Sequence, residues 1–302
     1  IWAVLDGVLE TDFPKVPEII VFQNETSDVA WIPREGELDR FYVRFDSHDF
    51  TFEQAVKKIE KAMQPHSIRF QEVVWFSQFS VKESVAAHYS VANRAFLAGD
   101  ACHVHSVNGG QGLNTGLADA FNLIWKLHWV IKHGADPALL ATYESERKPV
   151  AQSVIESSGE LVRATKFSEQ GSHAQDYVKI VEKRAGNITG MGIGYGQGGL
   201  EGSRFHDFEF LHQGIGQLTR AYSCLSYTKF SLFLFGEIEP EPVLPDFCQW
   251  IGLGQQTPQG LTSEYLGKAI LVRPDGYIEA VAPLQQADQL VARLQTGYSL
   301  HA

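Results

Sequence analysis

A chain of 302 residues, 44% hydrophobic and 20% charged, has the composition of a folded globular protein of about two domains, not of a disordered or fibrous one. Its formal net charge of −11 offers no basic surface for a nucleic-acid partner. The three cysteines, Cys102, Cys224 and Cys248, are odd in number and form no C-x-x-C pair, which points to a reducing, cytoplasmic compartment, and no apolar run approaches membrane-spanning length.

The chain opens on Ile1-Trp2-Ala3-Val4-Leu5-Asp6-Gly7, without Met and in the middle of a strand pattern, so the sequence is expected to continue upstream. Val16 to Gln23 is strand-like. From Arg40 to Phe45 the residues alternate, with Phe41, Val43 and Phe45 on one face and Arg40, Tyr42 and Arg44 on the other. Thr51 and Gln54 form a capping-box pattern for a helix with Phe52, Ala55, Val56, Ile59 and Met63 as its apolar stripe, stopped by Pro65. Ile68 to Ser77 reads as another strand.

Ala95 to Ala98 then reads as a short buried strand. A helix is expected from about Gly112 to His133, with Gly134 as C-cap, and Asp136-Pro137 looks like the N-cap and first position of the next, in which Pro149 kinks or restarts the helix. Asn187 to Ser203 is glycine-rich and reads as a boundary. Beyond it, Phe230 to Phe235 and Ala269 to Val272 read as strands, Pro274-Asp275-Gly276 as a turn, and Gln285 to Thr296 as a helix buried through Ala287, Leu290, Val291 and Leu294.

The chemistry-bearing residues gather between Gly99 and Lys126. An acidic side chain after a strand, here Asp100, either accepts hydrogen bonds from sugar or ribityl hydroxyls or fixes its own turn. Gly109, Gly110 and Gly112 either let a ligand approach the backbone closely or make a flexible loop. The helix start at Leu113-Asn114 favours the ligand reading, because a helix N-terminus attracts negative charge. Asp119, Asn122, Trp125 and Lys126 sit at helical spacing and read mostly as structural, with Leu117, Ala120, Phe121, Ile124 and Leu127 facing a core. Gly194 to Gly199 matches G-x-G-x-x-G literally, but no strand precedes it and no helix follows, so it reads as a loop. Cys102, His103 and His105 are too close in sequence to fill one tetrahedral metal site, and no metal is expected.

Gly99-Asp100-Ala101-Cys102-His103, Gly110-Gln111-Gly112-Leu113-Asn114-Thr115-Gly116 and Asp119-Ala120-Phe121-Asn122-Leu123-Ile124-Trp125-Lys126-Leu127 resemble, in this order, the second FAD-binding signature of the flavin-dependent aromatic hydroxylases, of the phenol 2-monooxygenase type. Tyr143-Glu144 and Glu146-Arg147-Lys148-Pro149-Val150 are similar to the helix that follows it. Thr11-Asp12-Phe13-Pro14, Ile32-Pro33-Arg34-Glu35-Gly36 and Arg40-Phe41-Tyr42-Val43 resemble the substrate sheet. Arg273-Pro274-Asp275-Gly276-Tyr277 and Phe230 to Phe235 look like the family's C-terminal domain. The resemblance implies an α/β fold of mixed α+β character. Residues 1–95 would form a substrate-binding sheet region, 96–185 the remainder of an FAD-binding domain with long helices, and 204–302 a thioredoxin-like domain.

It also implies an enzyme using FAD, NAD(P)H and O₂, in which a flavin C4a-hydroperoxide hydroxylates a small phenolic aromatic substrate, in a homodimer. Gly99 and Asp100 would hold the ribityl or ribose side of FAD, and Gly109, Gly110, Gln111, Gly112, Leu113 and Asn114 would face the flavin pyrimidine edge. Arg34 and Tyr42 match positions lining the substrate and flavin pocket, although by itself Arg34 reads equally well as a surface charge steadying a turn. Two departures stand out. Val107 occupies a place where the family has Pro, and the dinucleotide fingerprint, the middle Asp-Gly motif and the substrate-activating Asp would all precede Ile1. They motivate an alternative: a shortened scaffold without FAD, acting as a cofactor-independent cyclase or isomerase, or as a non-catalytic partner.

Overall fold

The ten-residue strand β1 (Trp2–Thr11) is an inner strand of the first sheet, paired on both edges, as its buried run from Ala3 to Asp6 requires. The structure is a computed structural model that describes residues 1–22, 28–80, 82–105, 110–165, 179, 182–196, 198–212, 216–239, 242–256 and 258–298, with backbone alone at 160–165. Val107 lies outside the described residues. The chain divides into two units, the first comprising Ile1–Ser84, His105–Gly110 and Val154–Lys183, the second Val85–Val104, Gln111–Ser153 and Arg184–Ala302.

In the first unit, β2 (Ile20–Phe22), β3 (Val29–Pro33), β4 (Leu38–Arg44) and β5 (Ile68–Phe79) join β1 in the order β2-β3-β4-β1-β5, every neighbouring pair antiparallel. β3 escapes a sequence reading because it is five residues long and closed by Pro33. It is nonetheless a core strand, with Val29 and Trp31 buried. The alternation in β4 is as read: Phe41 and Val43 are buried, while Arg40, Tyr42 and Arg44 are half-buried. Helix α1 (Phe52–Met63) starts at the expected capping box, in which Thr51 Oγ1 accepts from the Gln54 amide at 3.3 Å and Gln54 Oε1 accepts from the Thr51 amide at 2.8 Å. Its buried face, Ala55, Ile59 and Met63, shares one core with Trp31, Phe41 and Val43.

Short strands β6 (Ser84–Val85), β7 (Ser90–Val91), β8 (Ala95–Phe96) and β9 (His103–Val104) lead into helix α2 (Gly112–His133). The buried strand expected from Ala95 to Ala98 is corrected. Only Ala95–Phe96 pairs, antiparallel to Ser90–Val91, and Ala95 and Leu97 are exposed, because a two-residue hairpin edge has no second layer over it. Helix α2 has the expected bounds and ends on Gly134 at φ +67°, the left-handed cap that glycine adopts without Cβ strain.

Its orientation is the reverse of the one read from sequence. Thr115, Asp119, Asn122, Trp125, Lys126 and Trp129 are buried, while Leu113, Leu117, Phe121 and Ile124 are exposed, Leu113 by 75%. Ala120 is exposed too, and of the expected core positions only Leu127 packs inward, in part. An apolar stripe of this size on a helix is the kind of surface that marks a contact site.

Asp136 caps a short 3₁₀ turn, Pro137–Ala141, by accepting from the Ala138 amide at 2.8 Å, and helix α3 (Thr142–Thr165) continues through Pro149 without restarting. A five-residue helix α4 (Ala185–Thr189) follows, and Gly194 makes an isolated bridge to Ser203 with no helix opening at Leu200, as the loop reading of that glycine run expects. After the hairpin β10 (Glu209–His212) and β11 (Gln217–Arg220), strands β12 (Phe230–Leu234), β13 (Cys248–Gly252), β14 (Lys268–Val272) and β15 (Ile278–Pro283) form a sheet ordered β13-β12-β14-β15. The β12–β13 pair is parallel and the other two antiparallel. Helix α5 (Ala287–Gly297) lays Ala287, Leu290, Val291 and Leu294 on one face of this sheet, in the same core as Trp125 and Trp129 of α2. All three cysteines are unpaired, and among the described residues no helix is long and apolar enough to cross a membrane.

Candidate functional site

The chain enters the site along Leu97, whose amide donates to the Tyr89 carbonyl at 2.8 Å, and turns at Gly99–Ala101, one turn of 3₁₀ helix. Gly99 has φ +59°, and a Cβ built on Gly116 in the second turn of α2 would lie 3.2 Å from its Cα. The turn and the helix thus meet backbone to backbone: the positive φ favours glycine at 99, and a Cβ at 116 would crowd the turn. The Asp100 carboxylate lies on the exposed side of the turn, where it can accept hydrogen bonds from a ligand's hydroxyls.

Helix α2 follows Gln111, whose own side chain makes no capping hydrogen bond, and it has no acidic residue in its first turn. Gly112 is half-buried, Leu113 and Asn114 are exposed, and the amides of this first turn make the positive end of the helix dipole. Gly110, in the first unit, has φ +61° and open space where a Cβ would stand; Gly109 lies outside the described residues. An exposed acidic residue on a turn packed against the first turns of a helix suits the polyol, and the helix N-terminus the electron-rich pyrimidine edge, of a flavin. These residues fit that side of FAD. Among the described residues, no glycine fingerprint joining a strand to a helix is present for the diphosphate side.

Beneath the turn lies a polar network built on Asp119, Asn122 and Lys126, which the sequence reading took as structural without naming their partners. Asp119, fully buried, accepts from the Gly99 amide at 3.1 Å and pairs with His103 Nε2 at 2.6 Å through one oxygen, and accepts from Arg147 Nε at 2.7 Å through the other. Arg147 continues to the Thr115 carbonyl at 3.3 Å and the Tyr195 hydroxyl at 2.9 Å. One helical turn further on, Glu146 accepts from Lys126 at 2.9 Å, Asn122 at 2.6 Å and both terminal nitrogens of Arg273 at 2.9 Å, while Arg273 also grips Asp275 at 2.6 and 2.9 Å. The signal that could have found these residues is the polar stripe Thr115, Asp119, Asn122, Lys126 at helical spacing within an otherwise apolar helix.

The electrostatics follow from burial. Desolvation opposes ionisation of Glu146, but the charges and hydrogen bonds of Arg273 and Lys126 outweigh it and hold the carboxyl down at about 2. Asp119 is likewise held below the usual range, its burial outweighed by the His103 hydrogen bond and the Arg147 charge, and burial pulls Lys126 down to about 8. A carboxylate with a lowered folded-state pKa stabilises the protein above its unfolded value, and that stability is lost as the pH falls through the folded one. The Glu146 contribution is therefore complete above the ordinary value of 4.5 and disappears toward about 2. Urea midpoints measured down this pH range should fall more steeply for the unaltered protein than for Glu146→Gln, and parallel curves would refute the assignment.

Arg34 and Tyr42 belong to the first unit. Arg34 is exposed at the β3–β4 turn, where its amide donates to the Leu38 carbonyl at 2.9 Å and its guanidinium to Asp6 at 3.1 Å. Asp6 also takes a two-point contact from Arg40 at 2.6 and 2.7 Å, which, against the penalty of burial, holds its carboxyl below the usual range. Tyr42 lies on the same face of β4 as Arg40, its ring edge-on to Trp2 and Phe79. The buried Asp6, which organises both arginines, is a residue the sequence reading passed over.

Cys102, His103 and Asp119 do bring potential metal-ligand atoms within 4.8 Å of one another. Their chemistry argues for hydrogen bonding instead: burial pushes the Cys102 thiol up to about 11, and both Asp119 oxygens are engaged by His103, Gly99 and Arg147.

Residues 2–158 match the family described as FAD binding domain. The chain is 34% identical over 231 residues to 3-hydroxybenzoate 4-monooxygenase of Comamonas testosteroni, a match covering 68% of this chain and 36% of that protein. It is 32% identical over 203 residues to a phenol 2-monooxygenase of Aspergillus fumigatus, covering 64% and 34%. Among solved structures, it resembles the anhydrotetracycline hydroxylase OxyS of Streptomyces rimosus with a TM-score of 0.73 and 26% identity, over 100% of this chain and 64% of that one. The matches thus span about a third of the curated relatives' length. With the signature residues in place on a fold of this kind, the chain belongs to the FAD-dependent aromatic hydroxylases.

Proposed function

We propose that this chain forms part of a monooxygenase that uses FAD, NAD(P)H and O₂ to hydroxylate a phenolic or related aromatic ring. The observation that carries the reading is the Gly99–Asp100 turn packed backbone to backbone against the N-terminal turns of α2. Asp100 would hold the ribityl chain, and the first-turn amides from Gly112 to Asn114, together with the Gly109–Gln111 loop, would receive the pyrimidine edge. FAD, once reduced by NAD(P)H, supplies the activation of O₂. The protein's own part is to fix the ring system and to present a positive helix end where negative charge develops.

Arg34 and Tyr42 are proposed to line the aromatic substrate's pocket, within a substrate sheet region at 1–95. The convergence of Arg34 and Arg40 on the buried carboxylate of Asp6 supports this, since it sets two guanidinium groups side by side in this region, with Glu35 also paired to Arg34 at 3.3 Å. Residues 204–302 are read as thioredoxin-like, on the strength of the order β13-β12-β14-β15, its one parallel pair and the helix that follows. A cytoplasmic homodimer completes the reading, with the three unpaired cysteines as support for a reducing compartment.

Titrating the purified chain with FAD tests this directly. Saturable uptake with a flavin absorbance band is expected, and Asp100→Ala should weaken it by about 10- to 100-fold, the worth of one charge-assisted hydrogen bond. Stoichiometric uptake would sink the cofactor-independent scaffold, and a full-length protein carrying this chain that takes up no FAD would overturn the assignment.

A further inference from the structure

We propose that Asp119 is a positioning residue for the flavin site, holding the Gly99–Asp100 turn in its ligand-ready shape from beneath through the Gly99 amide and His103. The inference rests on the functional reading above. Gly99 sits at a positive φ, and its amide is the turn's only backbone donor aimed at a buried side chain among the described residues of this turn. The same Asp119 oxygen that accepts from it meets His103 Nε2, so both ends of the Gly99–His103 segment converge on one atom. The other oxygen is fixed by Arg147, which is itself tied to the Thr115 carbonyl and the Tyr195 hydroxyl. Asp119 is fully buried with no freedom to follow a shifting turn, and Gly116, one helical turn before it, brings α2 close enough for the contact. Asp100, one residue beyond Gly99, therefore points outward from a fixed base. Asp119 touches no part of the ligand and acts through the turn.

An amide at this position separates the roles. In Asp119→Asn the side-chain oxygen is claimed by the Arg147 charge, and the –NH₂ then faces the Gly99 N–H, donor against donor. Glu146→Gln is the matched control, since it breaks a comparable buried ion cluster that makes no contact with the turn. Gly116→Ala moves the turn while leaving Asp119 intact, and it serves if the asparagine variant does not fold.

Three readouts on the whole chain decide the matter: FAD affinity by flavin fluorescence, hydrogen–deuterium exchange of the peptide spanning residues 97–103, and the melting temperature. We expect Asp119→Asn to weaken FAD about tenfold or more and to speed exchange in that peptide. Gly116→Ala should weaken FAD in the same direction, and Glu146→Gln should lower the melting temperature while leaving FAD affinity within about twofold. The inference is overturned if Asp119→Asn leaves FAD affinity or the exchange unchanged, or if Glu146→Gln weakens FAD as much as Asp119→Asn does. Failure of the unaltered full-length protein carrying this chain to bind FAD is a separate outcome, which overturns the functional reading itself.

Discussion

Arg273→Met should destabilise the protein by about 3–5 kcal/mol, the cost of removing one partner from a buried ion pair and stranding the other. Arg273 is the hub of its cluster: it binds both oxygens of Glu146 and both of Asp275. Its side chain is 7% exposed and lies 5.0 Å from the Trp125 ring centroid and 5.2 Å from that of Tyr195. Desolvation alone would favour the neutral guanidine, yet the charges of Asp275 and Glu146 drive its pKa well above the ordinary value. Methionine fills the space but leaves two buried carboxylates with the Lys126 charge and the Asn122 amide in place of the guanidinium. Arg273→Lys should recover part of the loss, because an ammonium keeps the charge but cannot make two parallel two-point contacts. Denaturant midpoints at neutral pH measure both, and a loss under about 1 kcal/mol for the methionine variant would mean that water reaches the cluster and screens it.

Trp129→Ala comes next, at about 3–5 kcal/mol for a fully buried large aromatic. Its ring meets Phe230 at 4.6 Å and Phe247 at 5.5 Å, and so joins α2 to the C-terminal sheet. The indole N–H has no hydrogen-bond partner among the described residues. Trp129→Phe, which removes that buried donor and keeps an aromatic ring, should therefore cost less than about 1.5 kcal/mol. Equal losses for the two variants would show that the volume of the indole, not the presence of a ring, sets the packing.

These two positions show what one-dimensional pattern reading misses. In α2 the apolar positions 113, 117, 121 and 124 recur at helical spacing, and the usual inference is that such a stripe faces the core. Instead the polar stripe is buried, because each of its members meets a partner from elsewhere in the chain: Asp119 meets Arg147, and Asn122 and Lys126 meet Glu146. The capping box at Thr51, the left-handed Gly134 and the strand alternation from Arg40 to Arg44 were legible because each depends on residues within a few positions of one another. The exposed hairpin at Ala95 was misread for the opposite reason, since it depends on what packs, or does not pack, against it.

By itself, the sequence determined the chemistry to look for. The run from Gly99 to Leu127 identified a flavin hydroxylase signature, located the turn, the glycines and the helix N-terminus, and marked the glycine run at 194–199 as a decoy. Those features are encoded locally, in backbone conformations that only glycine adopts easily and in helix ends that short motifs specify. Only the tertiary structure decided which face of α2 is buried, that Asp119 lies under the turn, and that Arg273, 127 residues from Glu146, closes a buried ion cluster with it. A buried charge is tolerated only where opposite charge and hydrogen bonds surround it, and those partners are brought together by folding rather than by sequence spacing.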